Sequence, residues 1–286
     1  QTISVECCER LRPMVSNSNH SLGKVYLVGA GPGAADLITV RGAKLLAQAD
    51  IVFHDALVEP EMLALCSQAI LVPVGKRCGK LSSAQHFINK RLIDAAYKHQ
   101  IIVRLKGGDP MLFGRADEEL SSLKDAGIDV EVVPGITAAL AGAASIGHSL
   151  TLRGVSRSVA FVTLAQATDN PGTGEPLANP SADTLVYYMG RKDAARIARQ
   201  LIEQSPNHGH HTPVQILEAV STPRERQWSS TLSELASGTA DHWFDMSSPA
   251  LIMIGEALGQ HSKSSSPEIH NSLQNSLIIT HSRRSA

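Results

Sequence analysis

The chain has 286 residues, 43% of them hydrophobic, with 27 acidic against 26 basic side chains and a formal net charge of −1. That length can bury a sizeable core and suits one large or two medium α/β domains. A net charge so near zero excludes a global electrostatic attraction to nucleic acid or membrane, so positive charge for an anionic ligand must be local.

Residues 1–22 are polar and aperiodic and are expected to form a flexible tail, as is the serine-rich stretch 259–286, which leaves a folded body of 23–258. Cys7, Cys8, Cys66 and Cys78 show neither metal-ligand spacing nor the density of a small secreted domain, so reduced thiols are expected. No apolar run approaches the roughly 18 to 20 residues of a membrane span, and the start "QTISVECCERLRPMVSNSNH" lacks the apolar stretch of a signal peptide. The expected location is the cytoplasm.

Taken in order, the strand-like runs "KVYLVGA", "ADIVFHD", "AILVPVG", "QIIVRLKG" and "DVEVVPG" alternate with the helix-like "DLITVRGAKLLAQA", "SSAQHFINKRLIDAAYKH" and "ADEELSSLKDAG". This is the βαβ rhythm of a largely parallel sheet. Ser82 and Gln85 have capping-box spacing, Ile88, Leu92 and Ala95 fall on one helix face, and Gly127 stands where a helix would end in the left-handed conformation. A second half opens after "VVPGITAALAGAASIG", with strands at "SVAFVTL", "TLVYYMG", "PVQILEAV" and "PALIMIGEAL" and an amphipathic helix in "RKDAARIARQLIEQS". Two α/β lobes, 23–135 and 136–258, are the simplest account. The loop "ATDNPGTGEPLANPSAD" is long enough to border a site.

Two glycine-rich turns carry the functional signal. In "VYLVGAGPGAAD", Gly29, Gly31 and Ala34 fit the G-x-G-x-x-A of a dinucleotide-binding turn, with Asp50 and Asp55 at about the right distance for a ribose contact. An NAD(P)-linked oxidoreductase is therefore one open reading. Against it, Pro32 removes an N–H from the turn, and a second turn at Gly107 and Gly108 follows another strand. A ligand lying across the carboxyl ends of several parallel strands would use both turns. Arg104, Lys106 and Arg115, together with Lys76, Arg77 and Lys80, form the local cluster of cations that an anionic ligand would need. The histidines of "NHGHH" at 207–211 match no closed zinc spacing, and no metal site is expected.

With "VYLVGAGPG", "VGKRCG", "RLKGGDPMLFGRADEE", "VVPGITAA", "LVYYMG" and "PALIMIGE" in this order, the chain resembles the tetrapyrrole methylase family over nearly all of 23–258. The resemblance implies a two-lobed α/β homodimer with S-adenosylmethionine held in the cleft between the lobes. The implied reaction moves two methyl groups onto uroporphyrinogen III to give precorrin-2, and leaves open whether siroheme, cobalamin or haem d1 is the end product. By motif position the implied cofactor contacts are Pro32, Gly107, Gly108, Asp109, Leu112, Thr137, Ala138 and Met189, with Val220 and Ala250 aligned less firmly. Arg115, Arg153 and Met189 fall at positions associated with substrate, Glu118 shares a helix face with Arg115, and Asp55 and Lys76 match positions described as proton acceptor and donor. The chain departs from the family's usual pattern at Leu152, Ala56 and Leu81, where the family carries polar groups on the implied substrate side. A cofactor-binding member with an altered substrate is therefore a second open reading.

Overall fold

A computed structural model describes residues 21–74, 81–164 and 180–259. The first half runs β1 (Lys24–Gly29), α1 (Val40–Gln48), β2 (Ile51–His54), α2 (Pro60–Leu63), β3 (Ile70–Pro73), α3 (Leu81–Ala96), β4 (Ile101–Lys106), α4 (Ala116–Asp125) and β5 (Val130–Val133). Its five strands pair in the order β3-β2-β4-β1-β5, every neighbour parallel. Parallel strands are covered on both faces, and side chains alternate between them. Accordingly Leu27, Phe53 and Ile102 join Leu92 of α3 and Leu123 of α4 in one core, while Val28, Val52, Val103 and Leu105 join Leu46 of α1 and Met62 of α2 in the other.

The helix ends are mostly set by local chemistry. Thr39 caps α1 by accepting from the Gly42 N–H. Gly127, at φ 69°, ends α4: the Ile128 N–H donates to the Leu123 carbonyl and the Gly127 N–H to that of Lys124, which is the Schellman pattern. Ser82, expected with Gln85 to form a capping box, lies inside α3 rather than ahead of it. Helix α3 already includes Leu81, and Gln85 turns inward, where its amide donates to Asn89 and Glu119.

The second half contains α5 (Ala138–Ser145), β6 (Val159–Thr163), β7 (Thr184–Tyr188), α6 (Ala194–Gln204), β8 (Pro213–Glu218), β9 (Arg226–Thr231), α7 (Leu232–Ala236) and β10 (Ala250–Ile254). The strand order is β6-β7-β10-β8-β9, and only β6 and β7 are parallel. The largely parallel arrangement therefore holds for the first sheet and not for the second. Residues 219–225 are too few for the crossover that a parallel β8–β9 pair requires, so the chain turns back as a hairpin. Strand β9 was not expected from its polar "RQWSST", but an edge strand with one wet face needs no apolar run. Helix α5 packs on one face of this sheet through Ala139 and Ala143 against Val186, Leu217 and Met253, while α6 and α7 cover the other. The elements of the first sheet, within 24–133, are called the first lobe below, and those from α5 to β10, within 138–254, the second. Among the described residues no helix is long and apolar enough to cross a membrane.

Candidate active site

The two glycine turns at the ends of β1 and β4 touch each other. Gly31 and Gly108 exchange backbone hydrogen bonds, N–H to carbonyl at 3.1 Å and 2.7 Å. A Cβ on Gly135 would lie 2.3 Å from the Gly108 oxygen, and one on Gly29 would lie 2.6 Å from the Gly135 Cα. Gly29 and Gly135 are thus required by backbone packing, and Gly31 and Gly108 by their positive φ. Asp109 locks the arrangement, one carboxylate oxygen accepting from the Met111 N–H and the other from the Gly135 N–H, both at 2.8 Å. Gly107 differs, since a Cβ there would meet nothing nearer than Leu57 at 3.8 Å.

This geometry does not suit a dinucleotide turn. The N–H groups of Gly31 and Gly108 are spent on each other, and Pro32 has none. The first turn also leads into a short 3-10 segment at Ala35–Leu37 and an extended Thr39 before α1 begins, so it does not open onto a helix N-terminus.

The second lobe supplies the facing wall. The Tyr188 hydroxyl bonds Thr137 Oγ1 at 2.5 Å and accepts from the Ala139 N–H at 3.0 Å, so a side chain from the end of β7 caps α5. Burial raises the Tyr188 pKa above the ordinary phenol value. Phe113, from the loop after β4, reaches across to the Tyr188 ring at 5.2 Å. Beyond β8, the Ser221 hydroxyl accepts from the Ala34 N–H at 3.0 Å, the Ala219 N–H donates to Pro249, and Gly33 fits under Thr222 and Val220. A continuous circuit of contacts therefore links the turns holding Pro32, Gly108 and Asp109 to Thr137, to the Tyr188-Met189 corner, to Val220 and to the Pro249-Ala250 entry of β10. Leu112 lies within the first-lobe loop, its N–H donating to the Asp109 carbonyl at 3.3 Å.

Around this circuit five non-glycine residues have positive φ: Phe113, Arg115, Met189, Ala219 and Ser221. Such backbone costs about 1–3 kcal/mol each and concentrates at ligand clamps. Met189 is 56% exposed, although Tyr187, two residues earlier, is core.

The charged residues sort differently from the expected cluster. Arg104 and Lys106 point from β4 into the interior, where Arg104 Nε and Lys106 Nζ bond the two oxygens of Glu119, a fully buried carboxylate on α4, at 3.0 Å and 2.9 Å. Arg104 Nη2 also donates to Asp55 at 2.6 Å. These two cations serve the protein's own carboxylates and are not offered to an anionic ligand. Burial, followed by the charge of Arg104, outweighs the attraction of Glu119 and lowers the Lys106 pKa. Arg115, by contrast, is 40% exposed and forms a two-pronged pair with Glu118, at 2.6 Å and 2.7 Å. Arg153 is exposed on the turn closed by Leu152 and Ser156. Between that turn and Phe161, which meets Tyr188 edge-on, lies a cavity of about 510 Å³ lined by Leu140, Leu150 and Val159. Lys76, with Arg77 and Lys80, and most of the long glycine and proline loop fall outside the described residues.

Tyr188 and Glu119 were not singled out from sequence. Strand alternation across Tyr187-Tyr188 was the usable signal for the first, since it sends the two rings to opposite faces of the sheet. For the second it was the spacing of Arg104 and Lys106 on one face of a buried strand, which demands an internal carboxylate.

Residues 24–236 match the model of the Tetrapyrrole (Corrin/Porphyrin) Methylases. A uroporphyrinogen-III C-methyltransferase of Pseudomonas aeruginosa is 44% identical over 234 residues, which cover 82% of this chain and 94% of that enzyme. A siroheme synthase of a Psychrobacter species is 42% identical, and the match spans 84% of this chain but about half the length, 49%, of that protein. The crystal structure of a Thermus thermophilus uroporphyrin-III C-methyltransferase complexed with S-adenosyl homocysteine superposes with a TM-score of 0.70 at 36% identity, covering 86% of this chain and 97% of that one. Motif order, two-sheet fold and sequence identity over most of the chain agree, and the chain belongs to the tetrapyrrole methylases.

Proposed function

We propose that this protein is an S-adenosylmethionine-dependent C-methyltransferase that adds two methyl groups to uroporphyrinogen III. The observation that carries this reading is the circuit of strained and bare backbone where the lobes meet, with the exposed Arg115–Glu118 pair beside it, in a chain so similar to enzymes of that name.

The residues fit the methyl donor. Space beside Gly107 is open, and Met189 and Ala250 offer apolar surface for an adenine ring and a thioether-like chain, with the buried Val220 behind them. Pro32, Gly107, Gly108, Asp109, Leu112, Thr137, Ala138, Met189, Val220 and Ala250 would hold it, with Asp109 also fixing the turn through the bonds it accepts from Met111 and Gly135. S-adenosylmethionine supplies an activated sulfonium methyl when bound. A reduced pyrrole carbon is enamine-like and already nucleophilic, so the protein's main task is to align it with that methyl, and the gain comes from positioning. Each transfer forms a C–C bond, breaks the C–S bond to leave S-adenosylhomocysteine, and releases one proton from the ring system.

Arg115 offers a planar guanidinium to the carboxylates of this polyanionic substrate, with Glu118 orienting it or accepting a proton. Arg153 extends the cationic side. Asp55, 33% exposed and bonded to Arg104, is the described carboxylate for taking up the released proton, and Lys76 is the proposed donor. A water-soluble substrate of this charge fits a cytoplasmic location, and the homodimer remains part of the proposal.

Anaerobic incubation with uroporphyrinogen III and S-adenosylmethionine is expected to give a product heavier by two methyl groups. Arg115→Ala should lower transfer by about a hundredfold, as expected for lost alignment, while leaving S-adenosylhomocysteine affinity unchanged. Tight NADH binding with no response to S-adenosylhomocysteine would overturn the reading, and unchanged turnover would remove Arg115 from the substrate site.

A further inference from the structure

One buried ionic network touches the mechanism above only at Asp55, and its Lys106–Glu119 pair has no place there. Glu119 is 0% exposed and its carboxylate takes three donors: Arg104 Nε at 3.0 Å and Gln85 Nε2 at 3.1 Å on one oxygen, Lys106 Nζ at 2.9 Å on the other. Two strand residues and two helices therefore meet at one carboxylate. A core this apolar would hold β4, α3 and α4 together without it, and burying charge is costly enough that such a network invites a functional explanation.

Its position suggests that explanation. Glu119 sits in the first turn of α4, one residue beyond Glu118 and four beyond Arg115. Lys106 runs beneath the Pro110–Gly114 loop so closely that a Cβ on Gly114 would lie 3.1 Å from its Cε and 2.6 Å from the Pro110 oxygen. Above it, Phe113 and Arg115 both take positive φ, so the helix entry is held in an unfavourable backbone form. An exposed loop keeps such a form only when something beneath it leaves no alternative. The far end of the network reaches Asp55 through Arg104 Nη2 at 2.6 Å.

From this we infer that Lys106 and Glu119 are positioning residues for substrate: their buried ion pair clamps the start of α4 onto the sheet, sets the Phe113–Arg115 turn, and thereby aims the Arg115 guanidinium at the substrate's carboxylates. The inference rests on the proposed tetrapyrrole reading. It assigns neither residue a contact with substrate or methyl donor, and both act through Arg115.

The test is a double-mutant cycle on the full chain, read by the dissociation constant for uroporphyrin III, a fluorescent oxidised form of the proposed substrate, and by methyl transfer to uroporphyrinogen III. Lys106→Met and Arg115→Ala should each weaken porphyrin binding about tenfold, and the two together should weaken it no further than Arg115→Ala alone, because coupled residues are not additive. Affinity for S-adenosylhomocysteine should stay unchanged throughout. A second variant separates positioning from simple stability: Lys106→Met with Glu119→Gln removes both buried charges, and it should recover the thermal stability lost in Lys106→Met without recovering porphyrin affinity. Additive losses near a hundredfold, or full recovery of porphyrin affinity in the charge-free pair, overturn the inference while a methylating wild type keeps the functional reading. A wild-type chain that binds S-adenosylhomocysteine but neither binds nor methylates the tetrapyrrole overturns that reading, and the inference with it.

Discussion

A side chain as small as a methyl distinguishes two glycines of the same candidate cradle. At Gly135 an added Cβ would press within 2.3 Å of the Gly108 oxygen and 2.8 Å of the Gly29 Cα, whereas at Gly107 it would meet only Leu57 at 3.8 Å. Gly135→Ala is therefore expected to destabilise the fold by about 3 kcal/mol, the upper end for overpacking, and to abolish S-adenosylhomocysteine binding with it. Gly107→Ala should leave stability within about 0.5 kcal/mol yet weaken that ligand about tenfold. Thermal melts and calorimetric titration of the two variants check both outcomes. From sequence the two positions look alike, because composition shows that bare backbone is needed and not which neighbour needs it. Arg104 and Arg115 teach the same lesson for charge. Both are arginines in one short stretch, yet one is 3% exposed and committed to Glu119 and Asp55, and only the other faces outward.

Asp50, between α1 and β2, shows how single groups join elements. Its Oδ2 accepts from the N–H groups of Gln100 and Ile101, both at 2.8 Å, so it fastens the start of β4 to the end of α1. Those bonds to Ile101 and Gln100 hold its carboxyl below the ordinary value of 3.8. A folded-state pKa below the unfolded one means that the contribution is present above 3.8 and is lost as the pH falls through the folded value. Asp50→Asn should thus lower the melting temperature at pH 7 by a few degrees. The gap between variant and wild type should close as the pH drops below the carboxylate range, which melts across a pH series will show. A gap that persists at low pH would remove the charge from the account. Element existence was legible for nearly every apolar run, since burial on both faces of a parallel sheet leaves an apolar signature. Strand β9 and the direction of β10 were not legible, because an edge strand is polar and pairing direction depends on the length of connections rather than on the strand itself.

At the scale of the molecule, the contacts that join the two lobes among the described residues include Ala34 with Ser221, Gly33 under Val220 and Thr222, Phe113 with Tyr188, and the Arg224–Glu59 ion pair at 2.7 Å. A ligand held by both lobes should therefore stabilise both. S-adenosylhomocysteine at a hundred times its dissociation constant contributes about 2.7 kcal/mol, or roughly 5–10 °C in melting temperature for a chain of this size. The two tryptophans, Trp228 and Trp243, pack together beside the second sheet and report on that lobe alone. Their fluorescence transition and the far-UV circular dichroism transition should move up together on adding the ligand. A dichroism shift without a tryptophan shift would confine binding to the first lobe. What the sequence by itself determined was the βαβ rhythm, the two glycine turns and the ordered motifs of the family, because hydrophobic period, bare backbone and motif order are written along the chain. Only the tertiary structure decided that Gly31 and Gly108 pair with each other, that Tyr188 caps α5, and that Arg104 and Lys106 serve Glu119. These are contacts between segments far apart in sequence, and whether a polar group faces a ligand or a buried partner depends on what the fold brings opposite it.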